Sequence, residues 1–351
     1  MSTVLVDENQ DIWVCGDNED GQLGLGHENN VNTITKIPDF KAISASCGER
    51  YSIFITENND VYVCGSNMFG QLGLDHNVSI PTKIPNFKAI SAYFGDFHTL
   101  FITENYDIYV CGNNFHGQLG LGHNNSVNMP TKIPDFKAIS ASCGERHSIF
   151  ITENNDVYVF GYNSYSQLGL DHYDNINTPT KIPEFKAVLS SSGQFHTVFI
   201  TENNDVYVCG NGIHGQLGLG YNHFVKTPTK IPNFKAISVF CGKYYSIFTT
   251  ENNDVYVCGS NVYGQLGLGH IDNVNIPTKI PDFKSMIVHS IDFITTFITE
   301  NYDVCVCGYN ESGQLGLGHD NDVNIPTKIP NFDFKPLPKK RFNKTKSARN
   351  I

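Results

Sequence analysis

Gly117-Gln118-Leu119-Gly120-Leu121-Gly122 is the stretch that decides the fold, because it recurs. Gln-Leu-Gly-Leu begins at Gln22, Gln71, Gln118, Gln167, Gln216, Gln265 and Gln314, at spacings of 49, 47, 49, 49, 49 and 49. Seven such units take up nearly all of the 351 residues. Self-similarity at a period of this size marks a solenoid, a propeller or an array. The one short spacing arises in residues 75–80, where two residues are missing. A deletion there implies an exposed loop.

One unit, residues 135–183, shows the local structure. A short mixed run over 137–142 ends in Cys143-Gly144. His147-Ser148-Ile149-Phe150-Ile151-Thr152 and Val157-Tyr158-Val159-Phe160 are compact runs of β-formers, separated by the polar turn Glu153-Asn154-Asn155-Asp156. Pro179-Thr180-Lys181-Ile182-Pro183 closes the unit, and its flanking prolines suit an edge strand. No amphipathic helical stripe is sustained anywhere. About four short strands per unit, repeated seven times, predict an all-β, closed seven-bladed β-propeller with four-stranded antiparallel blades.

The chain starts in mid-unit. Val4-Leu5-Val6 aligns with Phe54-Ile55-Thr56, and Ile12 to Gly16 with Val61 to Gly65. Pro326 to Pro330 and Phe332-Asp333-Phe334-Lys335 supply the missing part. The last blade is therefore expected to be completed by both chain ends, which removes an open edge. The propeller is assigned to residues 1–335 and a basic tail to residues 336–351.

Composition narrows the function classes. Hydrophobic residues make up 40% and charged residues 17%, with a formal net charge of −11. A large core is affordable, and the body of the protein is unsuited to gripping nucleic acid or acidic lipid. No run approaches a membrane span and no leader is visible, so an intracellular, membrane-free setting is expected. The ten cysteines do not converge at zinc-like spacings. Cys15, Cys64, Cys111, Cys209, Cys258 and Cys307 share one place in the repeat, and Cys47, Cys143 and Cys241 a second. They are read as reduced core residues.

The Gly-Gln-Leu-Gly-Leu-Gly loop after a Cys-Gly-x-Asn strand end resembles the regulator of chromosome condensation repeat. Gly144-Glu145-Arg146-His147-Ser148 resembles that family's second signature, Gly-x-x-His followed by Ser or Thr. The resemblance spans roughly residues 1 to 335 and implies a seven-bladed propeller. It also implies a range of activities: nucleotide exchange on small GTPases, substrate binding in ubiquitin ligases, or ultraviolet sensing through clustered tryptophans. Trp13 is the only tryptophan, which removes the last. No residues remain for a ligase domain, and the near-constant spacing leaves no room for the β-wedge of the nuclear-transport exchange factor. The chain departs from the signature at Tyr51, Tyr245 and Ile294, and Ser166 replaces Gly before Gln167.

No catalytic constellation emerges, and no cofactor or metal is expected. The Gly-rich loop reads Gly-x-x-Gly-x-Gly, leads to no helix and recurs, so its glycines serve a tight backbone path rather than a phosphate. His98, His147 and His196 are expected to tie one blade to the next; His27, His123, His270 and His319 are expected to be solvated. Carboxylate pairs such as Glu153 and Asp156 recur in every unit, whereas a catalytic pair is singular.

Strand alternation sorts the turns onto two faces. One carries the Glu-Asn-Asn-Asp turns and is expected to be acidic and uniform. The other carries the Gly-x-x-His turns and the Gly-Gln-Leu-Gly loops, and it varies. Its candidate partner-binding residues are Met68, Phe69, Phe97, Phe115, His116, Tyr165, Phe195, Ile213, His214, Tyr244 and Tyr263. Tyr165-Ser166 is read as shifted by the loss of Gly. Aromatic anchors with a polar border suit a protein interface, and local packing over the loops is the competing reading. The function expected is a monomeric, non-catalytic scaffold for protein partners, with a guanine nucleotide exchange factor or regulator for a small GTPase as the alternative. The tail, with six basic and no acidic residues over 339–349, has a composition that favours disorder. It reads as an import signal, a weak nucleic-acid contact, or a solvated end without a role.

Overall fold

The computed structural model describes residues 1–337. Its first seven strands set the pattern: β1 (Ser2–Val6), β2 (Asp11–Gly16), β3 (Val31–Lys41), β4 (Ser44–Cys47), β5 (Tyr51–Ile55), β6 (Asp60–Gly65) and β7 (Val78–Lys88). β4 to β7 form blade 2, a four-stranded antiparallel sheet in sequence order. Five more such sheets follow, over residues 91–137, 140–186, 189–235, 238–284 and 287–328, as blades 3 to 7. β1, β2 and β3 form blade 1. The architecture is a seven-bladed propeller, as the repeat count requires.

Position in the blade follows composition. β5, Tyr-Ser-Ile-Phe-Ile, is buried along its whole length, as a strand with neighbouring blades on both faces must be. β7 is polar and pro-rich, with only Ile84 fully buried, and lies at the outer edge. Between β5 and β6 the turn places Asn59 at φ 61°, a left-handed conformation that asparagine tolerates. Tyr106 and Tyr302 hold the same place at φ 62° and 63°. Phe40 packs edge-on against Phe54 and Tyr62 of the next blade, both at 5.2 Å, and this aromatic trio recurs round the ring.

Blades are locked by one buried carbonyl per repeat. The Gln118 main-chain oxygen accepts the Ser148 hydroxyl of the next blade at 2.7 Å. The same bond joins Ser52 to Gln22, Thr99 to Gln71, Thr197 to Gln167, Ser246 to Gln216, Thr295 to Gln265 and Thr3 to Gln314. The last of these links blade 7 to blade 1. In six of the seven repeats the strand-end cysteine thiol approaches the same carbonyl, as Cys64 does Gln22 at 3.3 Å. Burial pushes the Cys15 thiol up to about 12 and raises Cys64 further. All ten cysteines are free, as read from their positions. Phe160 takes the cysteine place in blade 4 and fills it with a ring.

The histidines extend the lock, as expected. His98 Nε2 meets Ser148 Oγ at 3.0 Å, His147 meets Thr197 at 3.1 Å and His196 meets Ser246 at 3.0 Å. Each hydroxyl already donates to a Gln carbonyl, so it accepts from Nε2–H. The ring is neutral, with Nδ1 unprotonated and buried. The signature glycine follows from this: a Cβ on Gly144 would collide with the His147 ring and the Gly193 carbonyl. Tyr245 does the same work at its place, its hydroxyl donating to the Ile294 carbonyl at 2.6 Å. The loop histidines His27, His123, His270 and His319 are exposed, and each ring lies against its own loop or the asparagine that anchors it.

Two expectations need correction: the alignment of β1 and the charge of one face. Val4 pairs with Val14 as Ile53 pairs with Val63, so Val4–Val6 is equivalent to Ile53–Ile55, one residue from the alignment above. A one-residue slip exchanges the two faces of a strand, and apolar residues on both faces hid it. Blade 1 has three strands among the described residues. The C-terminal segment reaches it through the Asp7–Pro336 bridge and the Glu8 N–H to Lys335 carbonyl bond of 2.6 Å. The face of Glu-Asn-Asn-Asp turns is not simply acidic. Asp60 lies 2.9 Å from Lys83 and 3.5 Å from Lys88, and Asp11, Asp107, Asp156 and Asp205 each face two lysines likewise. Hydrogen bonds from these lysines hold the aspartates below the usual carboxylate range. The tail beyond Leu337, with the import reading attached to it, lies outside the described residues.

Burial pushes the His147 pKa from 6.5 down to about 3. The unfolded chain takes up this proton below about pH 6.5 and the folded chain does not, so the contribution to stability is present above that pH and is lost as pH falls. Replacing His147 by Tyr, the residue at positions 51 and 245, removes this one titration. Between pH 6 and 4 the wild type should lose about 1.4 kcal/mol per pH unit relative to His147→Tyr. Urea melts across that range test it; parallel curves would remove the buried neutral imidazole from the account.

Candidate functional site

The variable face is organised by contacts between blades. In six of the seven loops an asparagine is the anchor, and Gly212 stands in its place in the fifth: Asn114 Oδ1 accepts the Leu119 N–H at 2.9 Å, and its Nδ2 donates to the His123 carbonyl at 2.7 Å. The glutamine folds back, with Gln118 Oε1 accepting the His116 N–H at 2.9 Å. Gly117 sits at φ 81° against Asn177 Cα of the next blade, where a side chain has no room. Ser166 takes this conformation at φ 61°. The fourth copy is therefore not shifted. Its two outward residues are Ser164 and Tyr165, not Tyr165 and Ser166.

Of the two outward residues, the second turns toward the next blade's Gly-x-x turn. Phe69 meets Phe97 at 5.2 Å, Tyr165 meets Phe195 at 4.6 Å, His214 meets Tyr244 at 5.1 Å and Tyr263 meets Phe293 at 5.1 Å between ring centres. His116 approaches Arg146, and Asp20 pairs with Arg50 at 3.3 Å. Burial, and next the Arg146 charge, lower the His116 pKa. These pairs form a half-buried collar. The first outward residue is the more exposed: Met68 is 73% exposed, Val262 54% and Ile213 47%, and Phe115, whose ring also meets Phe69 edge-on at 6.1 Å, is 61% exposed. The candidate residues thus separate into a packed set and an exposed set.

Two features escaped the sequence reading. Phe224 stacks on Tyr165 at 5.6 Å and is 45% exposed, making a cluster with Tyr162 and Phe195. Its signal was an aromatic in a loop that is polar in the third and seventh copies. Inside the collar, the residue after the signature glycine, or after Ile291 where that glycine is replaced, gives a ring around the shaft: Glu49, Asp96, Glu145, Gln194, Lys243 and Asp292. Main-chain bonds tie neighbours, from Lys243 N–H to the Asp292 carbonyl at 2.7 Å and Gln194 N–H to the Lys243 carbonyl at 3.0 Å. Arg146 Nε lies 2.9 Å from Glu145, which also takes a hydrogen bond from Gln194. Burial lifts Asp292 to about 6 and raises Asp96 well above the carboxylate range. Burial opposes the charge of Lys243, but Asp292 and the other carboxylates outweigh it and raise its pKa.

Two open clefts, lined by Gly120, Pro134, Phe136 and Pro179 and by Gly218, Pro232, Phe234 and Pro277, occupy equivalent places between blades. Among the described residues, no three His, Cys, Asp or Glu side chains converge as a metal site.

A family model for the regulator of chromosome condensation (RCC1) repeat matches residues 10–55, 58–102, 107–151, 154–200, 203–249, 252–292 and 303–340. The chain belongs to the regulator of chromosome condensation repeat family. A second model of the same repeat matches residues 42–71, 87–118, 138–167 and 236–265, covering four of the Gly-x-x turns and the strands up to the following loop. Among solved structures, yeast RCC1 (Prp20) bound to Kap60 matches at TM-score 0.85 and 23% identity, over 93% of this chain and 85% of that one. Prp20p from Saccharomyces cerevisiae, in a structure reported with its binding to Gsp1p and histones, gives 0.83 and 23% over 93% and 88%. Human WBSCR16 gives 0.82 and 21% over 91% and 93%. These similarities show the shared fold. No curated protein matches the sequence.

The collar reading has a direct check. Phe69→Ala and Phe97→Ala should couple by about 0.5–1.5 kcal/mol in a double-mutant cycle, the value of an aromatic pair. Met68→Ser should change stability by less than about 0.5 kcal/mol. Additive Phe69 and Phe97 effects would mean that the pair does not stabilise the collar.

Proposed function

We propose that the repeat propeller is a non-catalytic binding scaffold, and that its variable face is the surface offered to a protein partner. The observation that carries this reading is the division of the candidate residues. Phe69, Phe97, His116, Tyr165, Phe195, His214, Tyr244 and Tyr263 are tied into the collar, and they keep it rigid. Met68, Phe115, Ile213 and Val262 project from that rigid base with roughly half or more of their surface exposed. Apolar side chains held on a stiff support lose little freedom on binding, which is what an interface anchor needs. Blades 7 and 1 give Glu311, Ser312, Glu19 and Asp20 at the equivalent places, a polar border on one side.

A small GTPase is the second reading of the partner. It rests on the fold shared with the yeast protein whose binding to Gsp1p is reported, and on the same variable face being available. Ten buried or half-buried reduced thiols support an intracellular setting for either reading.

Affinity capture from native cells, followed by mass spectrometry, tests the scaffold. The triple variant Met68→Ser, Phe115→Ser, Ile213→Ser should keep the wild-type melting temperature and lose its specific partners by roughly tenfold or more. Undiminished capture by the folded variant would move binding to another surface. If a small GTPase is captured, faster release of labelled GDP supports exchange; an unchanged rate leaves a scaffold that holds the GTPase.

A further inference from the structure

The Gly-x-x turns crowd together at the mouth of the shaft. A Cβ on Gly95 would fall 2.5 Å from the Gly144 carbonyl of the next blade, and one on Gly193 would fall 2.5 Å from that of Gly242. The residues that follow these glycines are therefore neighbours, and their charges meet. Burial first, and then the charges of Asp292, Glu145 and Glu49, raise the Asp96 pKa. Carboxylates from blades 2, 3, 4 and 7 thus share one opening.

The cations at this opening do not balance them. Arg146 Nε holds Glu145 at 2.9 Å, and the Met1 amino group is taken by Asp17 at 3.0 Å. Among the described residues, Glu49, Asp96 and Asp292 close no ion pair, and Lys243 Nζ lies over the Phe293 ring at 5.9 Å. Three carboxylates against one ammonium leave a formal charge of −2. A recess lined by one sign of charge draws in the other.

Hydrogen bonding gives a second, independent indication. Asp292 Oδ2 and Gln194 Oε1 are buried without a hydrogen-bond partner. Gln194 spends its amide N–H on Glu145, so its oxygen is the group left over. Both unmatched atoms of the ring are acceptors, and the group that completes it is a donor. Among the described residues, no three of these carboxylates converge as a metal site. A broad cation suits that spacing. Guanidinium carries five N–H donors in a planar fork, no acceptor and a fixed positive charge.

We propose that the mouth of the shaft is a socket for one arginine side chain of the protein partner, with Glu49, Asp96 and Asp292 supplying the opposing charge. This inference rests on the reading of this face as the partner surface and adds the chemistry of its centre. The partner presents an arginine at its tip and, around it, apolar residues that meet Met68, Phe115, Ile213 and Val262.

Titration of the full chain with the peptide acetyl-Gly-Arg-Gly-amide, followed by amide NMR, tests the socket. The Asp96, Lys243 and Asp292 amides should shift saturably at low salt, and the affinity should fall at high salt. The same peptide with citrulline, which keeps the shape and lacks the charge, should bind roughly tenfold more weakly or worse. The double variant Asp96→Asn, Asp292→Asn should lose the arginine peptide to the same extent. Asparagine tolerates the left-handed backbone that Asp292 adopts at φ 48°, so this variant should keep the wild-type melting temperature. Equal binding of the two peptides to the wild-type chain would overturn the socket, and that comparison needs no variant. Shifts confined to other parts of the surface, or undiminished binding by the folded double variant, would do the same. Partner capture separates this result from the parent reading. If the arginine peptide binds as expected but the Met68→Ser, Phe115→Ser, Ile213→Ser variant loses no partner, the apolar anchors fail and the socket stands. If that variant loses its partners and the two peptides bind alike, the socket alone fails.

Discussion

The buried main-chain oxygen of each loop glutamine is the point on which the molecule depends. It accepts a hydroxyl from the next blade, and in six repeats a thiol as well. A carbonyl enclosed between two sheets must be satisfied, because an unmade bond there costs about 1–3 kcal/mol. The rest of the repeat signature serves this bond. The glycines and the anchoring asparagine bend the loop until the carbonyl points into the next blade. Ser or Thr at the second position of the following strand supplies the donor. The histidine one blade back donates to that hydroxyl and fixes its direction. Its preceding glycine clears the space for the ring.

This arrangement explains how much could be read in advance. The period, the strand pattern, the buried cysteines and the histidine ties depend on contacts repeated seven times. Repetition makes a conserved physical demand visible within one chain. What occurs once is harder to see. The register of β1 was misplaced by one residue, because Val4, Leu5 and Val6 are apolar on both faces. The lysines beside each aspartate were missed because Asp60 and Lys83 lie on different strands, paired only when the sheet forms.

The candidate site was legible in membership and not in arrangement. The variable residues of the loops were recognisable as outward-facing. That Phe69 leans on Phe97 while Met68 stands free requires knowing that a loop in one blade meets a turn in the next. Ser166 shows the reverse difficulty. The eye seeks a glycine and shifts the frame, whereas the backbone keeps its frame and lets a serine adopt the left-handed conformation. The acidic ring was invisible for a similar reason: Glu49, Asp96, Glu145 and Asp292 are unremarkable singly and gather only around the shaft.

The collar has a further consequence. Its cross-blade contacts run, blade by blade, through an ion pair, a phenylalanine pair, a histidine with an arginine, and then two tyrosine–phenylalanine pairs on either side of a histidine–tyrosine pair. No rotation about the shaft by one or more blades brings this order onto itself. The scaffold beneath has near-sevenfold symmetry, but its rim works like the face of a clock with unlike numerals. A partner seated on it has one angular position rather than seven equivalent ones. The symmetry that makes the fold easy to build is thereby cancelled at the surface.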